Sequence, residues 1–255
     1  MTNFYEKRIL QFWSGGADST YLFLQNLRTG NEITLTYVNI INNRTKVDRE
    51  KTARNLLKED IRIFCEYFNC KKPIFIADHS INIFGNSFGK CKAPQQIIFA
   101  MFSLLIGKGY DEIHLGVVLG DSMNGSTLNE DFANVYREHC APNFPKILYP
   151  IENVSKETIY LTLQAYDNLL GTHFLEHITV CENEDEPCGD EKTCMPCITQ
   201  ERVFKKLKWL NKKPTNSCDK MQDQPEKQAT SRNSDNGKST TINDENGGKN
   251  YERNN

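Results

Sequence analysis

The stretch W-S-G-G-A-D-S-T-Y at residues 13–21 constrains this chain more than any other feature. Residues 8–13 are apolar and aromatic, and the run is short enough to be a buried strand. Residues 20–27 carry few breakers and space Leu24 and Leu27 as a helix face does. Between strand and helix, Gly15 and Gly16 let the backbone turn sharply and approach a ligand closely. The amides at the helix N-terminus then face an anion, and Ser14, Ser19 and Thr20 add hydroxyl donors. The expectation is a phosphate cradle on a strand–loop–helix unit.

The spacing and lysine of the G-x-x-x-x-G-K-[ST] loop are absent, and so is the G-x-G-x-x-G dinucleotide fingerprint. S-G-G-A-D-S at 14–19 instead resembles the signature loop of the ATP pyrophosphatases, the PP-loop family. That resemblance implies that Trp13, Ser14, Gly15, Gly16, Ala17, Asp18, Ser19 and Thr20 hold the pyrophosphate end of ATP while a substrate oxygen attacks the α-phosphorus.

A formal net charge of −2 over 255 residues gives no basic stripe for general nucleic-acid binding. No apolar run is long enough for a transmembrane helix, and the N-terminal residues lack the apolar core of a signal peptide. A cytoplasmic protein is the expectation, with no membrane partner; a homodimer is compatible with it. Nine cysteines in a reducing compartment point to metal or catalytic roles rather than disulfides.

Residues 33–41 read as a second strand and 46–68 as a charged helix, with Leu56, Leu57, Ile61, Phe64 and Phe68 on its buried side. A short strand at 73–77 and a Gly- and Asn-bearing loop at 78–92 follow. Residues 96–106 are apolar on all sides, as in a helix buried between neighbours. A fourth strand at 112–118 ends in a polar loop at 119–127, and 129–139 is helical. Residues 147–151 lead to Ser155, an N-cap for a helix through Leu169. Alternating strands and helices imply an α/β domain with a largely parallel sheet, flanking helices and ligands at the carboxyl ends of the strands. That domain spans 1–213. From Pro214 to the end the chain is too polar to offset its ordering entropy, which predicts a disordered tail at 214–255.

Cys181, Cys188, Cys194 and Cys197 fall in a polar segment, 181–197, that has no means of building a core. Four thiolates there suit a tetrahedral structural Zn2+ site with no open position. An iron–sulfur cluster or a pair of disulfides are the rival readings. Cys65, Cys70 and Cys140 read as buried thiols, Cys218 as an incidental one, and Cys91 lies in the 78–92 loop. His114 reads as a packed core histidine, and His173 and His177 as reserve ligands.

The N-terminal loop with the C-terminal cysteines and a following helix resembles the 7-cyano-7-deazaguanine synthase family, whose members make the nitrile base preQ0 for queuosine biosynthesis and related deazapurines. The likeness runs from Arg8 to about Leu210. It rests on S-G-G-A-D-S, Gly116 and Asp121, Pro150, K-E-T at 156–158, Cys181, P-C-G at 187–189, C-M-P-C at 194–197, Arg202 and Phe204. The chain departs from the family in two places. Four further residues separate Gly189 from Cys194, and the G-R-N that opens the family's central helix is replaced by K-A-P-Q-Q at 92–96, where Lys90 or Lys92 supplies charge.

The resemblance implies a ligase with an adenine-nucleotide α-hydrolase-like fold that uses ATP, Mg2+ and structural Zn2+. It adenylates the carboxylate of 7-carboxy-7-deazaguanine and aminates it with ammonia to the amide and then the nitrile. Asp18 is the expected Mg2+ partner, and Asp121 and Lys156 are expected to contact substrate or phosphate. The alternatives are a PP-loop enzyme with another acceptor (tRNA thiolation, with Cys91 or Cys140 relaying sulfur, or protein modification) and a non-enzymatic zinc- and nucleotide-binding module.

Overall fold

A computed structural model describes residues 6–40, 44–81, 95–121, 124–139, 141–181, 188 and 192–212. The sequence expectations for 82–94, including Lys90, Cys91 and Lys92, for Cys140 and for the tail at 214–255 lie outside the described residues.

The first strand, β1 (Arg8–Phe12), alternates strictly: Ile9 packs with one apolar cluster, Leu10 and Phe12 with a second. Both faces of the sheet are therefore covered. Around β1 run α1 (Ala17–Leu27), β2 (Glu32–Thr36), β3 (Val38–Ile40), α2 (Arg44–Phe68), β4 (Ile74–Phe75), β5 (His79–Ile81) and α3 (Gln95–Ile106). They are followed by β6 (Glu112–His114), α4 (Leu128–His139), β7 (Lys146–Leu148), α5 (Lys156–Leu170), α6 (Phe174–His177) and α7 (Met195–Lys212). The main sheet has the order β4-β2-β1-β6-β7, with every pair parallel. The chain works outwards from β1 through β2 to β4, then crosses to β6 and β7. The carboxyl ends of β1 and β6 flank the point where the order reverses, which is where such sheets hold ligands.

The first cluster joins Ile9, Ile33 and Leu35 to Leu22, Leu24, Leu57, Ile61, Phe64, Leu163 and Phe174, so α1, α2, α5 and α6 share one face. The second joins Leu10, Phe12, Ile113 and Ile147 to Phe99 and Ala133 of α3 and α4 on the other. Ser155 caps α5 by accepting from the Thr158 amide, and Gly171 ends that helix at φ 68°. Among the described residues no helix is long and apolar enough to cross a membrane.

Four expectations change. The strand expected at 33–41 is two: β2 stops at Thr36, and β3 pairs with β5 in a separate parallel ribbon. Its β1 neighbour ends in the loop at Ser14, so beyond Thr36 the only ladder left is with the chain after β4. The ribbon's other strand, β5, falls where a loop was expected. Leu56 is 48% exposed although Leu57 is fully buried, because α2 turns one residue past the stripe that meets the sheet. Met101 and Leu105 of α3 are 55% and 75% exposed, so that helix is not covered all round by described residues.

Leu57→Ala should therefore lower unfolding free energy by about 2–5 kcal/mol through a cavity beneath α2. Leu56→Ala should change it by less than about 0.5 kcal/mol. Urea melts of the two variants read the difference.

Candidate functional site

The loop after β1 is held first through its backbone. Gly15 adopts φ 81°, and its carbonyl accepts the Thr179 amide at 3.0 Å. A Cβ built on Gly15 would lie 3.0 Å from Arg54 Cγ and 3.2 Å from both Ala53 Cβ and the Arg54 amide nitrogen. Gly16, at φ −79°, is extended and N-caps α1, with no side chain capping the helix. The positive dipole end of α1 thus opens on the loop, and Asp18 sits in its first turn. On the far side, Gly116 lies so close that a Cβ there would be 3.3 Å from both Cα and the amide nitrogen of Ser19.

The side chains of the loop divide. Trp13 is buried; its Nε1 donates to Thr20 Oγ1 at 3.1 Å, so the Thr20 hydroxyl serves the core. Ala17 is buried with them. Ser14 Oγ accepts the Gly16 amide at 3.3 Å and lies 3.1 Å from Ser19 Oγ, tying the loop across its own turn. Ser14, Gly16 and Asp18 keep partial exposure at the mouth.

A buried polar chain supports this turn from below. Gln11 Nε2 donates to the Ser19 carbonyl at 2.8 Å, and Gln11 Oε1 accepts from Asn26 Nδ2 at 2.8 Å. Asn26 Oδ1 lies 3.2 Å from His114 Nδ1, and His114 Nε2 lies 3.1 Å from Glu112. Burial lowers the His114 pKa, and Glu112 beside it only partly restores it. His114 is a core histidine with both ring nitrogens engaged.

Asp18, Asp121 and Lys156 come from three separate elements and meet at the mouth. Lys156, the first residue of α5, pairs with Asp18 and lies 3.9 Å from Asp121 Oδ1. The other Asp121 oxygen accepts the Val118 amide at 3.1 Å, which fixes the turn after β6. Asp121 is thus a turn residue and a member of the charged cluster together. Beneath them, burial raises the Tyr160 pKa, with the Asp18 carboxylate and the Cys197 thiol adding to the shift.

Beside the mouth, at the ends of β1, β2 and β4, Trp13, Thr36, Tyr37, Lys51, Arg54, Lys58, Phe75 and Asp78 line a cavity of about 210 Å³. The Arg54 guanidinium stacks 3.7 Å over the Tyr37 ring and pairs with Asp78 at 2.6 Å. Sequence reasoning missed this group. Its signal was the basic stripe Lys51, Arg54, Lys58 at helical spacing within a helix that reads as merely charged. A larger cavity, about 460 Å³, lies between α2 and the 177–179 segment. His177 faces it while its Nδ1 holds buried Asp60 at 2.6 Å, so that ring pins α6 to α2 rather than joining the cysteines.

The thiols of Cys181, Cys188, Cys194 and Cys197 converge within 4.8 Å of one another. All four are free. A tetrahedral ion with metal–sulfur bonds of about 2.3 Å needs sulfurs a little under 4 Å apart, so a small inward closure suffices. Sulfurs this close match the spacing around a single ion. Hydrogen bonds from Thr193 and from backbone amides pull the Cys188 thiol down to about 6, which favours the ligating thiolate. Burial pushes the Cys197 thiol up, and the crowding of Cys194 and Cys181 adds to it. A bound dication would relieve that crowding. Cys194 precedes α7, and Cys197 sits in its first turn.

No protein-family model matches the sequence, and no match to it was found among curated proteins. Among solved structures the chain is similar to a predicted subunit of tRNA methyltransferase from Methanocaldococcus jannaschii, at 12% identity over 62% of this chain and 74% of that one, with a TM-score of 0.39. It is similar to a 4-thiouridine synthetase solved as an RNA complex with bound ATP, at 15% identity and TM-score 0.40; the match covers 80% of this chain but 51% of that one. It is similar to NMN synthetase from Francisella tularensis, at 12% identity over 85% and 91% of the two chains, with a TM-score of 0.34. Likenesses this distant carry no argument about activity, which must come from the residues themselves.

Two outcomes test the site. Gly15→Ala should destabilise more than Gly30→Ala in thermal melts: both glycines have positive φ, but nothing lies within 4 Å of a Cβ at Gly30. Purified protein should contain about one divalent ion per chain by elemental analysis, and Cys194→Ser should lose it.

Proposed function

We propose that this chain is an ATP-dependent ligase of the 7-cyano-7-deazaguanine synthase type. The observation that carries the reading is the meeting of Lys156, Asp18 and Asp121 at the mouth of the Gly15–Gly16 turn. In this reading the turn and the α1 N-terminus cradle the pyrophosphate of ATP, and the α-phosphorus faces the substrate. The substrate carboxylate attacks it, forming an acyl-adenylate and releasing pyrophosphate. Ammonia then displaces AMP to give the amide. Attack by the amide oxygen on a second ATP releases a second pyrophosphate, and loss of AMP and both amide protons gives the nitrile.

The chain's own part is positioning and charge stabilisation. Lys156 offsets negative charge on the phosphates as the pyrophosphate leaves, and its pairing with Asp18 and Asp121 holds it aimed there. Those two carboxylates offer the hard oxygens that Mg2+ takes, and the ion, when bound, would neutralise phosphate oxygens. The cysteines would hold Zn2+ in a closed structural site. Arg54 and Tyr37 offer a charged, flat wall to a planar ring or a nucleobase.

The rival reading keeps the loop and changes the acceptor. Thiolation needs a sulfur-relaying cysteine at the mouth. The candidates, Cys91 and Cys140, lie outside the described residues; Cys65 and Cys70, within them, have thiol pKa values raised by burial, which suppresses the reactive thiolate.

The decisive assay supplies ATP, ammonia and 7-carboxy-7-deazaguanine. AMP, pyrophosphate and a nitrile or amide product are expected, with Asp18→Ala and Lys156→Ala each slowing turnover by about 10²–10³. ADP and phosphate as products would end the reading. AMP release with no modified deazapurine would move the acceptor elsewhere.

A further inference from the structure

The segment that enters the cysteine cluster is the one that holds the nucleotide loop. Thr179 donates its amide to the Gly15 carbonyl at 3.0 Å and forms a parallel bridge with Gly16; two residues later the chain reaches Cys181. From α2, Arg49 Nη2 donates to the Cys181 carbonyl at 3.5 Å, while Ala53 and Arg54 of the same helix wall in Gly15. On the other flank, Lys206 of α7 pairs with Glu157 at 2.6 Å, one residue from Lys156, and Phe204 packs edge-on against Tyr160 with ring centroids 5.7 Å apart. The cluster is thereby tied both to the turn and to the helix that presents its lysine.

We propose that Thr179 is a positioning residue whose backbone amide couples occupancy of the four-cysteine site to pyrophosphate binding in the loop; this rests on the ATP reading above. The physical reason lies in Gly15. A residue at φ 81° with no side chain is held by its neighbours alone, and the Thr179 amide is the one backbone donor on its carbonyl among the described hydrogen bonds. A metal fixes the chain at Cys181 and so fixes that amide. Without it, the polar 181–197 segment has no core to hold it, and the Gly15 peptide loses its restraint. Pyrophosphate, by ordering the same peptide, must tighten the metal by the same factor.

The test uses the full chain, zinc, and α,β-methylene ATP in excess magnesium. Nucleotide affinity should fall about 5- to 10-fold when zinc is stripped, and zinc affinity measured by chelator competition should rise by the same factor with nucleotide present. Thr179→Pro, which lacks the amide, should remove the factor while both ligands still bind. Thr179→Val, which keeps it, should not. Ile178, at φ −66° and ψ 143°, already has the extended conformation that a following proline requires. Equal nucleotide affinity with and without zinc, in wild type that stays folded, would overturn the proposal.

Should the stripped chain unfold, amide exchange on the zinc-loaded protein decides. Nucleotide should slow exchange in peptides covering both 13–20 and 178–181, and slowing confined to 13–20 would overturn the link. A zinc-loaded wild type that binds no nucleotide counts against the ATP reading instead. Partial zinc loading then tests Thr179 alone, through exchange at 13–20: exchange there that falls with zinc supports the coupling, and exchange indifferent to zinc refutes it.

Discussion

The rest of the site depends on backbone meeting backbone at the N-terminus of α1. Gly15 is pressed between α2 and Thr179, and Gly116 sits against the Ser19 peptide. Neither contact leaves room for a side chain. Because the loop is enclosed this tightly, its shape does not depend on the charged groups Lys156, Asp18 and Asp121 that meet at its mouth. The position of the loop follows from the sheet. Ending β1 at Phe12, next to a β6 that belongs to the other half of the winding, leaves a crevice that α1 opens onto.

The same economy explains the polar chain beneath it. Gln11 is fully buried in β1 and donates to the Ser19 carbonyl, and the sequence continues the demand through Asn26 and His114 to the half-buried Glu112. A buried amide without partners would be costly, whereas a fully connected network rigidifies the elements it joins. Here those elements are β1, α1 and β6, the three that frame the crevice.

Much of this was legible before any coordinates. The strand–loop–helix unit showed in the breakers and hydrophobic runs around Gly15 and Gly16, and Ser155 announced α5 by its capping chemistry. The cysteine cluster was visible because its connecting residues are too polar to fold any other way. What stayed hidden were interactions set by tertiary position. Nothing local to 33–41 says that β2 loses its partner at Thr36, and nothing in the helical spacing of α2 separates Leu56 from Leu57. Arg54 and Tyr37 are far apart in sequence and meet only because α2 folds back over the end of β2. Thr20 offers an hydroxyl that suits an anion, but Trp13 takes it, a choice made by packing alone.

The cysteine cluster completes the argument from packing. Among the described side chains of α7, which end at Lys206, Cys197 and Val203 are buried and Phe204 is partly so, a small apolar contact for the first part of that helix. The exposed pair Lys206–Glu157 adds little in water. A helix start so attached, and reached through a polar segment, gains from another source of binding free energy. Four thiolates around one ion would supply it at the helix's first turn. The five residues between Cys188 and Cys194 cost little to close, because loop-closure entropy grows only slowly with length. An ion at this site, two residues from Thr179, would bear on more than α7. Its stabilisation would act on the segment that clamps Gly15, so that on the proposed coupling a site away from the mouth bears on the turn at its centre.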